Sequence, residues 1–250
     1  VDLNETVRVS ELVIEYPAAI PALETLGIDY ACRGNRTLGE ACDSAGVDLA
    51  TWLAGLDVDN RVAEAEGIST RNWNRESLAT LVNFILSEHH QIEHRSLVYL
   101  AARIGRAAKS HGAAYPVIHR IEHLFRRLSE SLRLHATHEE KDLFRQIELL
   151  EIQVVEGGEA TRHGRTLTDR ILIEFLEHDM LAEKLRTMRE ITLDWQLQAR
   201  APKTLKTLWA DMRAFDRNLQ RHIHLENNIL YPRTIALEAR TGAMKKLVPA

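Results

Sequence analysis

Two short stretches of this chain share a pattern that can do chemistry: HATHE at 135–139 and HIHLE at 222–226. Each sets a histidine four residues before a glutamate, and on an α-helix residues i and i+4 share a face. The surrounding stripes are otherwise apolar: Phe125, Leu128 and Leu132 lead to His135 and Glu139, with Leu143 beside them and Asp142 and Gln146 continuing the face. Leu208, Met212, Phe215 and Leu219 lead to His222, Glu226 and Ile229. A glutamate facing a core without a partner is excluded by the cost of desolvating its charge. A metal ion between helices removes that penalty and takes both the imidazole and the carboxylate.

Two further periodic stretches are interrupted in the same way. One runs Ile171, Glu174, His178, Leu181, Leu185 and Met188. The other reads equally well as Val82, Ile85, His89 and Ile92 or as Leu86, His90, Leu97 and Leu100, so periodicity does not choose between His89 and His90. A single core histidine is most often just hydrogen-bonded. Two His-x-x-x-Glu pairs within four coordinated stripes outweigh that reading, and such a set suits two borderline ions such as iron, with glutamate bridging. His94, His111, His119, His123, His138, His163 and His224 are expected to face solvent or a partner side chain. A zinc-protease motif fails, because His138-Glu139 is followed by Glu-Lys-Asp and no second histidine. Carboxylate-rich di-iron bundles place the glutamate first, as Glu-x-x-His. Here histidine dominates, which favours binding a diatomic molecule.

Long helices must position these residues. Gly and Pro are few and clustered, and the patterns predict helices over about 75–109, 116–151, 166–198 and 201–240, with a loop at EGGEATRHGR (156–165). That is an all-α, up-down-up-down four-helix bundle. Residues 1–60 predict a small helical domain, with helices near 8–26 and 37–56 flanking GIDYACRGNRT, and a capping box at Thr37–Glu40. Residues 61–75 read as a linker, 76–240 as the bundle and 241–250 as a C-terminal tail. A net charge of -4 gives no electrostatic case for nucleic acid or an anionic membrane. No apolar run approaches a membrane span, the mixed VDLNETVRVSEL start is unlike a signal peptide, and two cysteines make no disulfide scaffold. A cytoplasmic protein is the expectation.

HATHEEKDLF, EFLEHDMLAEKL and RHIHLENNILYPR resemble the hemerythrin-like domain. ELVIEYPAAIPALETLG followed by IDYACRGNRTLGEAC resembles the small domain fused to it in the RIC family (repair of iron centres, of the ScdA, YtfE and DnrN type). The resemblance covers nearly the whole chain in the right order. It implies two non-haem iron ions, oxo- or hydroxo- and carboxylate-bridged, on His90, His135, Glu139, His178, His222 and Glu226, with the two glutamates as bridges. It favours His90 because Leu97, Leu100 and His111 then match downstream; His89 stays the alternative. Ala182 stands where true hemerythrins carry another histidine, which leaves a place for a small molecule. Glu174 is the best candidate for an extra oxygen ligand, then Asp142; Tyr231 is placed to approach the site, and Asp179 points about 100° away from His178. The family's Tyr-Cys-Cys-Gly-Gly run is Tyr30-Ala31-Cys32-Arg33-Gly34 here, so no vicinal thiol pair forms. Cys32 is left as a single thiol, or pairs with Cys42 if the two lie within disulfide reach; Cys42 reads as core.

The resemblance implies defence against nitrosative and oxidative stress by repair of damaged iron–sulfur clusters, through iron supply, NO binding and reduction at the di-iron site, or both. Whether the chain is an enzyme stays open. The alternative is a reversible O2 or NO binder or sensor without turnover. The implied partners are NO or O2 and damaged iron–sulfur proteins, with no nucleic acid and no membrane, and a homodimer is left open.

Overall fold

The computed structural model describes residues 3–56, 60–65, 67–156 and 166–247. Except for Glu156, the loop expected at 156–165 lies outside the described residues, as does His163. The described residues are helical and contain no strand; a single antiparallel bridge joins Arg8 and Thr37. The chain forms two compact units, one of residues 1–81 with 220–250, the other of residues 82–219.

In the first unit lie α1 (Val9–Glu15), a 3-10 turn (Pro17–Ala19), α2 (Ile20–Leu26), α3 (Leu38–Ala45), α4 (Leu49–Ala54) and α5 (Asn60–Ala65). Their limits follow local chemistry. Thr37 accepts the Glu40 N–H and Glu40 accepts the Thr37 N–H, the reciprocal cap expected from sequence. Asp48 caps α4 through the Thr51 N–H. α2 and α3 end at Gly27 and Gly46, both at φ 68°, where a side chain would be strained. Val9, Leu12, Val13, Leu23, Tyr30 and Leu38 form the core. α6 (Leu78–Ile85) starts behind Ser77, which caps the Thr80 N–H.

The second unit is the up-down-up-down bundle, built on α7 (Gln91–His111), α8 (Val117–His138), α9 (Phe144–Glu156), α10 (Leu167–Ile191) and α11 (Lys203–Leu225) as far as residue 219; the rest of α11 and α12 (Tyr231–Leu247), the last described helix, count with the first unit. α7 packs on α8 and α8 on α10. Phe125, Leu128, Leu132, Leu181, Leu185, Met212 and Phe215 fill the interior. The third helix stops at Ile191 rather than near Gln198, because Leu193, Asp194 and Trp195 turn left-handed at φ 49°, 55° and 59°. Trp195 is buried there against Trp209, and its indole N–H joins Arg189 on the Asp216 carboxylate. The fourth helical stretch runs to Leu247, past the end expected near Arg240.

The helices are also not uniformly α. Among the described residues three π-helical turns interrupt them, at Leu86–His90, Glu139–Leu143 and Glu226–Leu230. Each is closed by an i+5 bond: Gln91 N–H to Leu86 C=O, Phe144 N–H to Glu139 C=O, and Tyr231 N–H to Glu226 C=O. Every such turn inserts one residue and rotates the residues beyond it by about 100° relative to an unbroken helix. After Glu139 the buried face is therefore Leu143, Ile147 and Leu150, while Asp142 is exposed. In the first long helix the same shift joins two registers. Val82 and Ile85 are buried before it, His89 and His90 within it, and Leu97 and Leu100 after it.

Candidate metal centre

In the bundle unit three imidazoles gather around Glu139. His90 closes the first π turn and His135 stands on α8, one helical turn before Glu139, which opens the second π turn. His178 lies mid-way along α10. All four residues are buried. Glu139 Oε2 lies 3.4 Å from His90 Nε2 and 3.2 Å from His135 Nε2. His135 Nε2 lies 3.0 Å from His178 Nε2. One donor atom each of His135, Glu139 and His178 falls within 4.8 Å of the others. The two histidine nitrogens are close enough together that one metal ion could take both as ligands.

The other ring nitrogens decide the tautomers. His90 Nδ1 lies 2.9 Å from Glu140 Oε1. His135 Nδ1 lies 3.0 Å from Glu177 Oε2 and 3.1 Å from Glu174 Oε2. A carboxylate at Nδ1 keeps the proton there and turns the Nε2 lone pair inward, the arrangement of a metal-binding imidazole. The His135 N–H holds the Glu177 carboxyl below the usual glutamate range, against the opposing effect of burial. Phe144 packs its ring against His90 at 5.6 Å. Glu139 is fully buried. Desolvating its carboxylate costs several kcal/mol, which the imidazoles beside it and an inward cation would offset.

The same motif recurs in the other unit. His222 Nε2 lies 3.0 Å from Glu226 Oε1, both residues fully buried, and Glu226 again opens a π turn. Imidazole nitrogens and carboxylate oxygens of this kind suit a divalent first-row metal.

The remaining candidates lie elsewhere. His89 packs edge-on against Phe84. Glu174 sits on the Nδ1 side of His135, with Glu177. Asp142 is exposed and paired with Arg170, whose hydrogen bond lowers its pKa. Asp179 is exposed. Tyr231 is buried and its backbone closes the π turn on Glu226. Cys32 and Cys42 are free thiols, so no bridge joins them; Cys42 is buried and Cys32 half-buried. Sequence reasoning did not single out Glu140, Glu177 or Glu93. The first two adjoin Glu139 and His178 and so lie about 100° off the inward stripe. Glu93, fully buried and accepting from Asn218 at 3.3 Å, falls on the stripe three residues after His90, a signal that was there to be read.

Buried imidazoles converging on a buried carboxylate within a helical bundle form a histidine–carboxylate cluster able to hold a metal ion. The chain belongs to the hemerythrin HHE cation binding domain family, whose model matches residues 80–234. Residues 5–59 match a second family, ScdA_N, described as a domain of unknown function (DUF542). Among its relatives, the iron-sulfur cluster repair protein ScdA of Staphylococcus epidermidis is 26% identical over 224 residues, covering 89% of this chain and 95% of that protein. The iron-sulfur cluster repair protein YtfE of Musicola paradisiaca is 27% identical over 229 residues, 92% and 96% of the two chains. That of Yersinia pseudotuberculosis is 25% identical over 224 residues, 90% and 94%. Among the described residues no helix is long and apolar enough to cross a membrane.

Proposed function

We propose that this chain repairs damaged iron–sulfur clusters and that its working site holds two iron ions on His90, His135, Glu139, His178, His222 and Glu226, with the glutamates bridging. The observation that carries the reading is the inward set of Nε2 atoms around buried Glu139, with His90 and His135 fixed from behind by Glu140 and Glu177. Two findings support its extent. One family model spans all six residues, and relatives aligned over most of the chain are named for iron–sulfur cluster repair. When bound, the irons supply redox change and an open position for a diatomic such as NO or O2. The protein's part is to hold protons at the outer Nδ1 atoms, keep the Nε2 lone pairs inward and pack the Phe144 ring against His90. Ala182 contributes no donor beside His178, so the ligand set stays incomplete on the protein side.

Iron per chain after anaerobic loading with Fe(II) tests the metal reading. Two irons in wild type, and a loss in His135→Ala and Glu226→Ala, support it; a folded protein that takes up no iron overturns it. The repair chemistry then divides. Faster iron release to an apo-ferredoxin than to buffer marks iron supply. Continuing N2O formation from NO and a reductant marks NO reduction. Ligand released on degassing, with iron still ferrous, marks a reversible binder.

A further inference from the structure

The N-terminal domain and the segment bearing His222 and Glu226 belong to one compact unit. Several polar contacts join them. Arg221, immediately before His222, donates two N–H groups to the two oxygens of Glu24, each at 2.9 Å. The Glu24 side chain is 2% exposed. Tyr30, fully buried, donates its hydroxyl to the same carboxylate at 3.0 Å. The Tyr30 ring stands edge-on to His224 at 5.6 Å. Asn228 donates to the Tyr30 carbonyl at 2.9 Å and also meets His224 Nδ1 at 2.8 Å. Asn227, next to Glu226, donates to the Ala31 carbonyl at 3.2 Å and reaches Cys32 Sγ at 3.8 Å. Gly34 also lies against this segment: a Cβ there would fall 3.3 Å from Asn228 Oδ1, besides 2.7 Å from the Tyr30 carbonyl and 2.9 Å from Ser10 Cβ.

Arg221, His224, Asn227 and Asn228 thus hold the small domain, while the intervening residues His222 and Glu226 carry the donors. The π turn that begins at Glu226 replaces the i+4 bond with an i+5 bond, so the helix ladder alone fixes this turn less firmly. Metal donors need placement to within about 0.5 Å and about 10–20°. A bidentate arginine–carboxylate pair supplies that directional restraint from outside the helix.

We propose that the N-terminal domain is a splint for the cation site, and that Glu24 is the positioning residue through which it sets the rotation of the His222–Glu226 turn. The proposal rests on the reading of His222 and Glu226 as iron ligands. It gives residues 5–59, a domain of unknown function, a task that needs no chemistry of its own.

The test uses full-length protein loaded anaerobically with Fe(II), and follows iron release to a chromogenic ferrous chelator alongside thermal melting. Glu24→Gln is expected to release iron about 10–100-fold faster than wild type, the usual effect of removing an outer partner of a metal site. Glu24→Asp should fall between the two. Leu23→Ala, a core truncation one residue away, is the control for general loosening: at an equal or larger fall in Tm it should release iron at the wild-type rate. Tyr30→Phe, which removes only the hydroxyl on Glu24, serves if Glu24→Gln does not fold and should release iron faster than wild type. Wild-type release from Glu24→Gln, or equally fast release from Leu23→Ala, overturns the proposal. Wild type that binds no iron overturns the metal reading instead, and the proposal with it.

Discussion

Glu140 and Glu177 touch no inward donor, yet they decide what those donors are. Each faces the Nδ1 of a histidine, so each sets which ring nitrogen is available. Truncating either leaves an imidazole free to tautomerise and tilt. Glu140→Ala is expected to weaken metal binding about 10–100-fold while leaving the fold intact, since Glu140 lies on the surface side of its helix. Competition titration with a metal indicator checks this, and unchanged affinity would show that His90 needs no outer anchor. Glu177 gives a pH signature in the metal-free protein. Its folded pKa lies below the usual glutamate range, chiefly through the His135 hydrogen bond. A lowered carboxylate stabilises the fold above its unfolded pKa, and this contribution is lost as pH falls through the folded value. The Tm gap between wild type and Glu177→Gln should therefore be full near neutrality and close in acid, below the ordinary glutamate range. A gap independent of pH would mean that Glu177 acts only by packing.

At the scale of elements, each π turn has one of the proposed ligands at one end, and such a turn can be removed without disturbing the apolar face. Deleting exposed Lys141 leaves Leu143 and Ile147 three and seven residues after Glu139, still on one α-helical face. The deletion should fold with an unchanged or higher Tm and bind metal more than about tenfold more weakly. Wild-type affinity would show that the bulge does not place Glu139. The left-handed turn after α10 depends instead on a buried carboxylate. Asp216→Ala strips the partner from Arg189 and from the Trp195 indole, and is expected to cost about 2–3 kcal/mol in urea unfolding. These are also the elements that the sequence conceals. The pairs His135–Glu139 and His222–Glu226 are legible because i, i+4 neighbours share a face whatever the rest of the fold does. A π turn leaves no residue signature: its extra residue is visible only as two competing registers, which is how His89 and His90 came to look equivalent. Glu140 and Glu177 were illegible because their partners lie on other helices. The stop at Ile191 was illegible because leucine, aspartate and tryptophan carry no turn preference strong enough to announce three left-handed residues.

For the whole molecule, a fold that buries Glu139 and Glu226 completely should be under strain without its cation and relaxed with it. The desolvation cost of those carboxylates is borne by the folded state alone, because the unfolded chain exposes them to water. Metal that binds only the folded state then adds RT ln(1 + [L]/Kd), about 2.7 kcal/mol at a free concentration of 100 Kd. In a chain of this size each kcal/mol raises Tm by roughly 2–4 °C, so loading with Fe(II) or Co(II) should raise Tm by about 5–11 °C. A chelator should reverse the shift. The gain should vanish in Glu139→Gln, whose metal-free form should in turn melt no lower than metal-free wild type, since removing the charge also removes the cost of burying it. A metal-free Glu139→Gln that melts well below metal-free wild type would show that the carboxylate is stabilised by its imidazole neighbours alone, and that the fold does not depend on a cation to hold it.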